Sequence, residues 1–90
     1  MIDLKKATQY RLYTYDVWGN QDGGWDVNQT YESAWTISKA IYDELGDEEL
    51  TQKVEHILGI ECQIDRNCSD DTVIYFSSEQ GEPVCELRVE

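Results

Sequence analysis

The residues with the strongest claim to chemistry are His56, Cys62, Cys68 and Cys85, which together have the composition of a Cys₃His zinc site. Their spacing, H-x₅-C-x₅-C-x₁₆-C, lacks the close C-x₂₋₄-C pair that pre-forms half of a structural site. Cys62 and Cys85 fall on the apolar sides of their segments, where a free thiol packs as a small hydrophobe. An odd number of cysteines, with no C-x-x-C pair, also excludes a complete intrachain disulfide framework and fits a reducing cytosol. Asp16, Asn20, Asp22 and Asp26 surround a Gly-rich stretch. They do not follow the alternate-position ligand pattern of a calcium loop or its closing glutamate. Gly19, Gly23 and Gly24 precede no Lys-Ser/Thr and no helix, so they do not form a phosphate loop. The single His lies where a predicted helix ends, a position the helix dipole explains. The adjacent acids read as solvated positions rather than a converging acid/base pair. The expectation is therefore a protein with no cofactor, no bound metal and no enzymatic activity.

Charge is the outlying property: 19 acidic against 7 basic residues give a net charge of −12. Phosphate contacts need Lys and Arg, so direct nucleic-acid binding is not expected, and anionic membranes should be repelled. Such acidity serves solubility or attraction to a basic protein surface, and composition alone leaves both open. The acids fall in groups: Asp43, Glu44, Asp47, Glu48 and Glu49; Asp65, Asp70 and Asp71; Glu79 and Glu82. The first two groups are the candidate acidic binding surface. No segment has the apolar length of a membrane span or a leader peptide, so a cytoplasmic location is expected.

Ninety residues, the whole of 1–90, make one domain with room for one core, and three Trp and six Tyr supply large side chains for it. Tyr10–Trp18 is dense in aromatic and β-branched residues and reads as a strand with Tyr13, Tyr15 and Val17 on one face. The other face carries Leu12, Thr14, Asp16 and Trp18. Gly19–Gly24 reads as a hairpin loop. Over Trp25–Ile37 the odd positions, from Trp25 and Val27 through Tyr31 to Trp35, share one side. Trp25, Tyr31 and Trp35 are accordingly expected in the core. So long a strand should bend or bulge near Ser33.

Ile37, Ala40, Ile41 and Leu45 recur at helical spacing over 38–45, with Gly46 placed to close the helix in a left-handed conformation. A second helix should have Asp47 as N-cap and Leu50, Val54, Ile57 and Leu58 as its apolar stripe. An ion pair from Glu49 to Lys53 should support it, and Gly59 should stop it. Strands follow at 60–65, 72–77 and 84–89, the last two joined by a turn at Gly81, with Pro83 restricted to a strand start or an edge. The fold class is α+β, in the order β-β-α(α)-β-β-β: an antiparallel sheet of about five strands covered on one face by one or two helices. The uncovered face can present aromatic side chains, and Tyr13, Tyr15 and Trp18 are the candidate anchors.

The run from Tyr10 to Asn20, with Asp22–Asn28 after it and Gly81–Arg88 near the end, resembles a group of small uncharacterised proteins of bacteriophages, plasmids and bacteria. The resemblance covers about a third of the chain and implies a mobile-element origin, with no established activity to transfer. It suggests an acidic inhibitor or regulator of a basic host protein, of the anti-defence or anti-CRISPR kind, in which carboxylates imitate a phosphate backbone. The alternative expectation is a protein-interaction module that uses its aromatic strand surface, with the acidity serving solubility alone.

Overall fold

A computed structural model describes residues 9–70 and 72–90. The aromatic run forms β1 (Gln9–Gly19) and the long alternating run forms β2 (Trp25–Ser38). Asn20 builds the turn between them: its side-chain oxygen accepts from the backbone N–H groups of Asp22 and Gly24, and Gly23 takes a φ of 83°. Two helices follow, α1 (Lys39–Glu44) and α2 (Asp47–Leu58), and then β3 (Gln63–Ile64), β4 (Val73–Ser77) and β5 (Pro83–Val89). The five strands form one antiparallel sheet in the order β2-β1-β5-β4-β3, so the expected α+β architecture is the observed one.

β2 and β3 occupy opposite edges of this sheet. The chain must therefore cross a whole face between them, and it does so as α1 and α2. Tyr10 and Leu12 of β1, Ile37 of β2, Ile74 and Phe76 of β4, and Cys85, Leu87 and Val89 of β5 meet Leu50 and Val54 of α2 in the core. The period of two in the strands and the i, i+4 spacing in α2 put these residues on facing surfaces. Tyr10 also stacks on Tyr42 of α1, with ring centroids 4.3 Å apart.

Several local expectations are corrected. Gly46 does not close α1 in a left-handed conformation; its φ of −76° is extended, it is the N-cap of α2, and Asp47 stands inside the helix. α1 instead starts on Ser38, whose hydroxyl accepts from the Ile41 N–H, and ends where Leu45 turns extended. The apolar stripes hold at Leu45, Leu50, Val54 and Leu58 but not at Ile41 and Ile57, which are exposed, and Tyr42 packs on the core in place of Ile41. The helical ion pair that forms is Lys39–Asp43 rather than Glu49–Lys53. Only Gln63 and Ile64 of the segment 60–65 pair as strand, and Ile60 is exposed. Gly59 stops α2 at a φ of 72°, as its position predicts. Pro83 opens β5, where its missing N–H is tolerated.

The largest correction concerns β2. Its ladder with β1 slips twice, once between Arg11 and Tyr13, opposite the stretch that holds Ser33, and once between Asp16 and Val17. The first is the bulge expected near Ser33, and Arg11 secures it by donating to the Ser33 carbonyl. The second leaves Asn28 as an extra residue, since Asp16 faces Gln29 while Val17 faces Val27. Consecutive β1 residues point to opposite faces, so Gln29 and Val27 do too. The odd positions of β2 therefore do not share one side. Trp25 is 39% and Tyr31 48% exposed, and only Trp35 of the three expected core aromatics packs against the core.

Candidate functional site on the open face of the sheet

Alternation that sends Cys85, Leu87 and Val89 under α2 sends Glu86 and Arg88 to the uncovered face. The antiparallel registers place Tyr13, Glu86 and Tyr75 side by side across β1, β5 and β4, with Glu32 of β2 beyond Tyr13. The neighbouring row holds Arg11, Arg88 and Val73. Glu86 is buried although it lies on the uncovered face, because its neighbours close over it. Its carboxylate accepts from the Tyr15 hydroxyl at 2.5 Å and from Arg88 Nε at 2.5 Å, and Arg88 in turn lies 4.4 Å above the Tyr13 ring.

This arrangement has definite electrostatics. Burial first, and the bond to Glu86 second, push the Tyr15 phenol far above its ordinary value, so it remains a proton donor to the carboxylate. Glu86 likewise raises Arg88. Arg11 directly opposes Arg88 in the register, and each is paired with carboxylates of its own, Arg11 with Glu90 at 3.0 Å and Glu32 at 3.2 Å and Arg88 with Glu86. Glu86, Tyr15, Arg88 and Arg11 are all engaged with partners, and among the described residues no buried side-chain nitrogen or oxygen lacks a hydrogen bond, which suits a rigid recognition surface better than proton transfer.

Beside Tyr15 the face is concave. A cavity of about 540 Å³ is lined by Tyr15, Val27, Tyr75 and Pro83, with Asp65 and Cys68 of the β3–β4 connection at its rim. Past Thr14, β1 has no β5 partner, and the distal part of the β1–β2 hairpin continues as a two-stranded arm. The arm exposes Trp18, Trp25 and Val27, of which Trp18 is the most open at 64%, and Tyr31 is exposed at its base, opposite Thr14.

Of the residues expected to bind, Tyr13 and Tyr15 lie on this face, whereas Trp18 points from the other side of the arm. Asp43, Glu44, Asp47, Glu48 and Glu49 come together as exposed residues at the α1–α2 corner, where Lys39 pairs with Asp43 and Arg66 with Asp47. The second acidic group is different. Asp65 accepts from the Asn67 N–H, and Asp70 accepts from Thr72 and Val73, so both are used in shaping their turns. These bonds hold the Asp70 carboxyl below its ordinary value. Asp71 lies outside the described residues.

Sequence reasoning passed over Glu86, Arg88 and Tyr75. The signal for the first two was an acid and a base at i and i+2 in an otherwise apolar strand, a spacing that puts both on one face. Among the described residues no group of three or more His, Cys, Asp and Glu side chains is placed to hold a metal ion. His56 stands exposed on α2 beside a groove shared with Trp35, and Cys85 is buried while Cys68 is exposed. Nor is any helix among the described residues long and apolar enough to cross a membrane. No family model, curated protein or solved structure matches the chain.

Proposed function

We propose that this chain is a protein-binding module that docks through the open face of its sheet and the aromatic arm beside it, on a partner with a basic surface. The observation that carries this reading is the exposure of Trp18, Trp25, Val27 and Tyr31 on an arm without a covering layer. Large aromatic side chains held rigid on a ladder are the residue types that anchor protein interfaces. A net charge of −12 selects a partner of opposite sign. Capture from a bacterial lysate with the wild-type chain and with Trp25→Ala, whose side chain lies on the same side as Tyr15, tests it. The variant should lose more than about 2 kcal/mol of binding if Trp25 is a central anchor, with an unchanged circular dichroism spectrum. Full retention of the partner by Trp18→Ala and Trp25→Ala alike removes the reading.

The acidic corner favours a second reading, in which the chain is an inhibitor or regulator of mobile-element origin that imitates nucleic acid to a basic host protein. Asp43, Glu44, Asp47, Glu48 and Glu49 supply exposed carboxylates on one corner of the helical layer. Charge reversal at Glu44, Glu48 and Glu49 should then abolish capture, and raised salt should weaken it steeply. Asp70 is unsuited to that experiment, because its reversal would disturb the turn it builds.

A further inference from the structure

We propose that the concavity between Tyr15 and Tyr75 is a receptor for an arginine side chain of the partner. The inference deepens the proposed docking through the open face and rests on it. Of the residues that line the cavity, Tyr15 and Tyr75 offer aromatic surface, Val27 and Pro83 offer apolar walls, and Asp65 is the one that carries charge. A site with aromatic walls, one carboxylate and no cation among its lining residues matches a guanidinium, which stacks on a ring while its edge donates to the acid. The same face already holds an occupied example of this chemistry. Arg88 lies 4.4 Å over the Tyr13 ring while its Nε donates to Glu86. Tyr15 joins the two places: its hydroxyl closes the internal site at Glu86, and the same residue lines the concavity next to it.

The position of the cavity also favours a side chain delivered by a protein. Val27 belongs to the aromatic arm, and Pro83 and Gly81 belong to the β4–β5 connection, so the cavity lies between the arm and the body of the sheet. A partner lying along the arm would bring side chains over the opening. The volume, about 540 Å³, exceeds that of one guanidinium with its methylene stem and leaves room for the neighbouring backbone of the partner.

The test is a titration of the ¹⁵N-labelled full chain with acetyl-Gly-Arg-Gly-amide, with the citrulline peptide as a neutral isostere. Shifts confined to the amides of Tyr15, Val27, Asp65, Tyr75 and Gly81 and their neighbours, present with arginine and absent with citrulline, are expected. Tyr75→Leu should weaken binding at least tenfold and Asp65→Asn several-fold, with the remaining spectrum unchanged. Because Asp65 also shapes its turn, Tyr75→Leu is the deciding variant. Equal shifts from the citrulline peptide, shifts centred on the α1–α2 corner, or no effect of Tyr75→Leu would each overturn the inference. If the peptide fails while capture of a partner still depends on Trp25, only the arginine receptor falls. If the peptide binds at the cavity and capture ignores the arm, the docking reading falls instead.

Discussion

The two halves of the β1–β2 hairpin are built from the same kinds of residue and have opposite fates. In the half next to the chain ends of the strands, Tyr10, Leu12 and Ile37 are buried. In the half next to the turn, Trp18, Trp25, Val27 and Tyr31 are exposed. Hydrophobicity does not separate them. What differs is the supply of partners: β5 pairs with β1 only over Tyr10–Thr14, and a 12-residue helix such as α2 reaches about 18 Å, the length of five or six extended residues. The covering layer therefore runs out about midway along β1. An aromatic residue beyond that point that stays as open as Trp18 contributes little to folding through burial, and its presence there calls for another role.

The sharpest way to break this comparison is to truncate one residue in each half. Leu12→Ala removes a side chain with no exposure at all and should cost about 2–5 kcal/mol, read as a fall in the urea midpoint. Trp18→Ala removes a larger side chain and should change stability by no more than about 0.5 kcal/mol, because most of it already faces water. Comparable losses in the two variants would mean that the arm packs on something and that the two halves are not distinct.

The same comparison shows what was legible in the sequence. The order of elements along the chain, the hairpin turns and the helix stop at Gly59 were readable because each depends on local residue types: Asn20 and Gly23 in one turn, Gly81 in another. The order of strands in the sheet, with β5 beside β1, was not, because it rests on pairing between distant segments. The identity of the core aromatics was not, because period-2 reasoning assumes an unbroken ladder. One extra residue at Asn28 is enough to turn Trp25 and Val27 away from the side of Tyr31. Nothing in the composition near Asn28 marks it as a bulge rather than another strand residue. Glu86 was hidden for a related reason: a carboxylate within a strand reads as solvent-facing until Tyr15 and Arg88 are known to close over it. The acidic groups divide on the same principle. Those on the helices needed only helical geometry to be placed, whereas Asp65 and Asp70 took their roles from backbone N–H groups that only the folded turn presents.

An intermediate effect is expected at Glu86, which belongs to the well-covered half although it lies on the open face. Glu86→Ala leaves the Tyr15 hydroxyl without its acceptor and should destabilise by about 1–3 kcal/mol, with the exposed Arg88 able to recover water contacts. Glu86→Gln keeps an acceptor for Tyr15 and should cost less. The order Ala worse than Gln, measured by chemical denaturation, separates the hydrogen bond from simple packing. If the two variants are equally stable, the constellation does not hold the strands together and the open face is less rigid than its bonding implies.

The smallest effect tests the comparison through the thiols. Burial pushes Cys62 up from an ordinary 9.0 to about 11, and burial pushes Cys85 further still, whereas exposed Cys68 is raised chiefly by its hydrogen bond to Asp65. A thiol with a raised folded pKa binds its proton more tightly in the native state than in the unfolded chain. Its contribution to stability is thus complete below pH 9 and is lost as pH rises from 9 towards 11. Tyr15 acts in the same direction from its ordinary value of 10.0 upward. The urea midpoint should therefore fall between pH 9 and pH 11, and Cys62→Ala should fall less steeply than the wild-type chain. In the native state a thiol reagent should modify Cys68 first, more slowly than a free peptide thiol, and Asp65→Asn should speed it. Cys62 and Cys85 should follow only as the domain opens. Labelling of Cys62 at the rate of Cys68, or a midpoint that is flat with pH, would place Cys62 outside the covered half of the sheet, and the boundary between the halves would have to be redrawn.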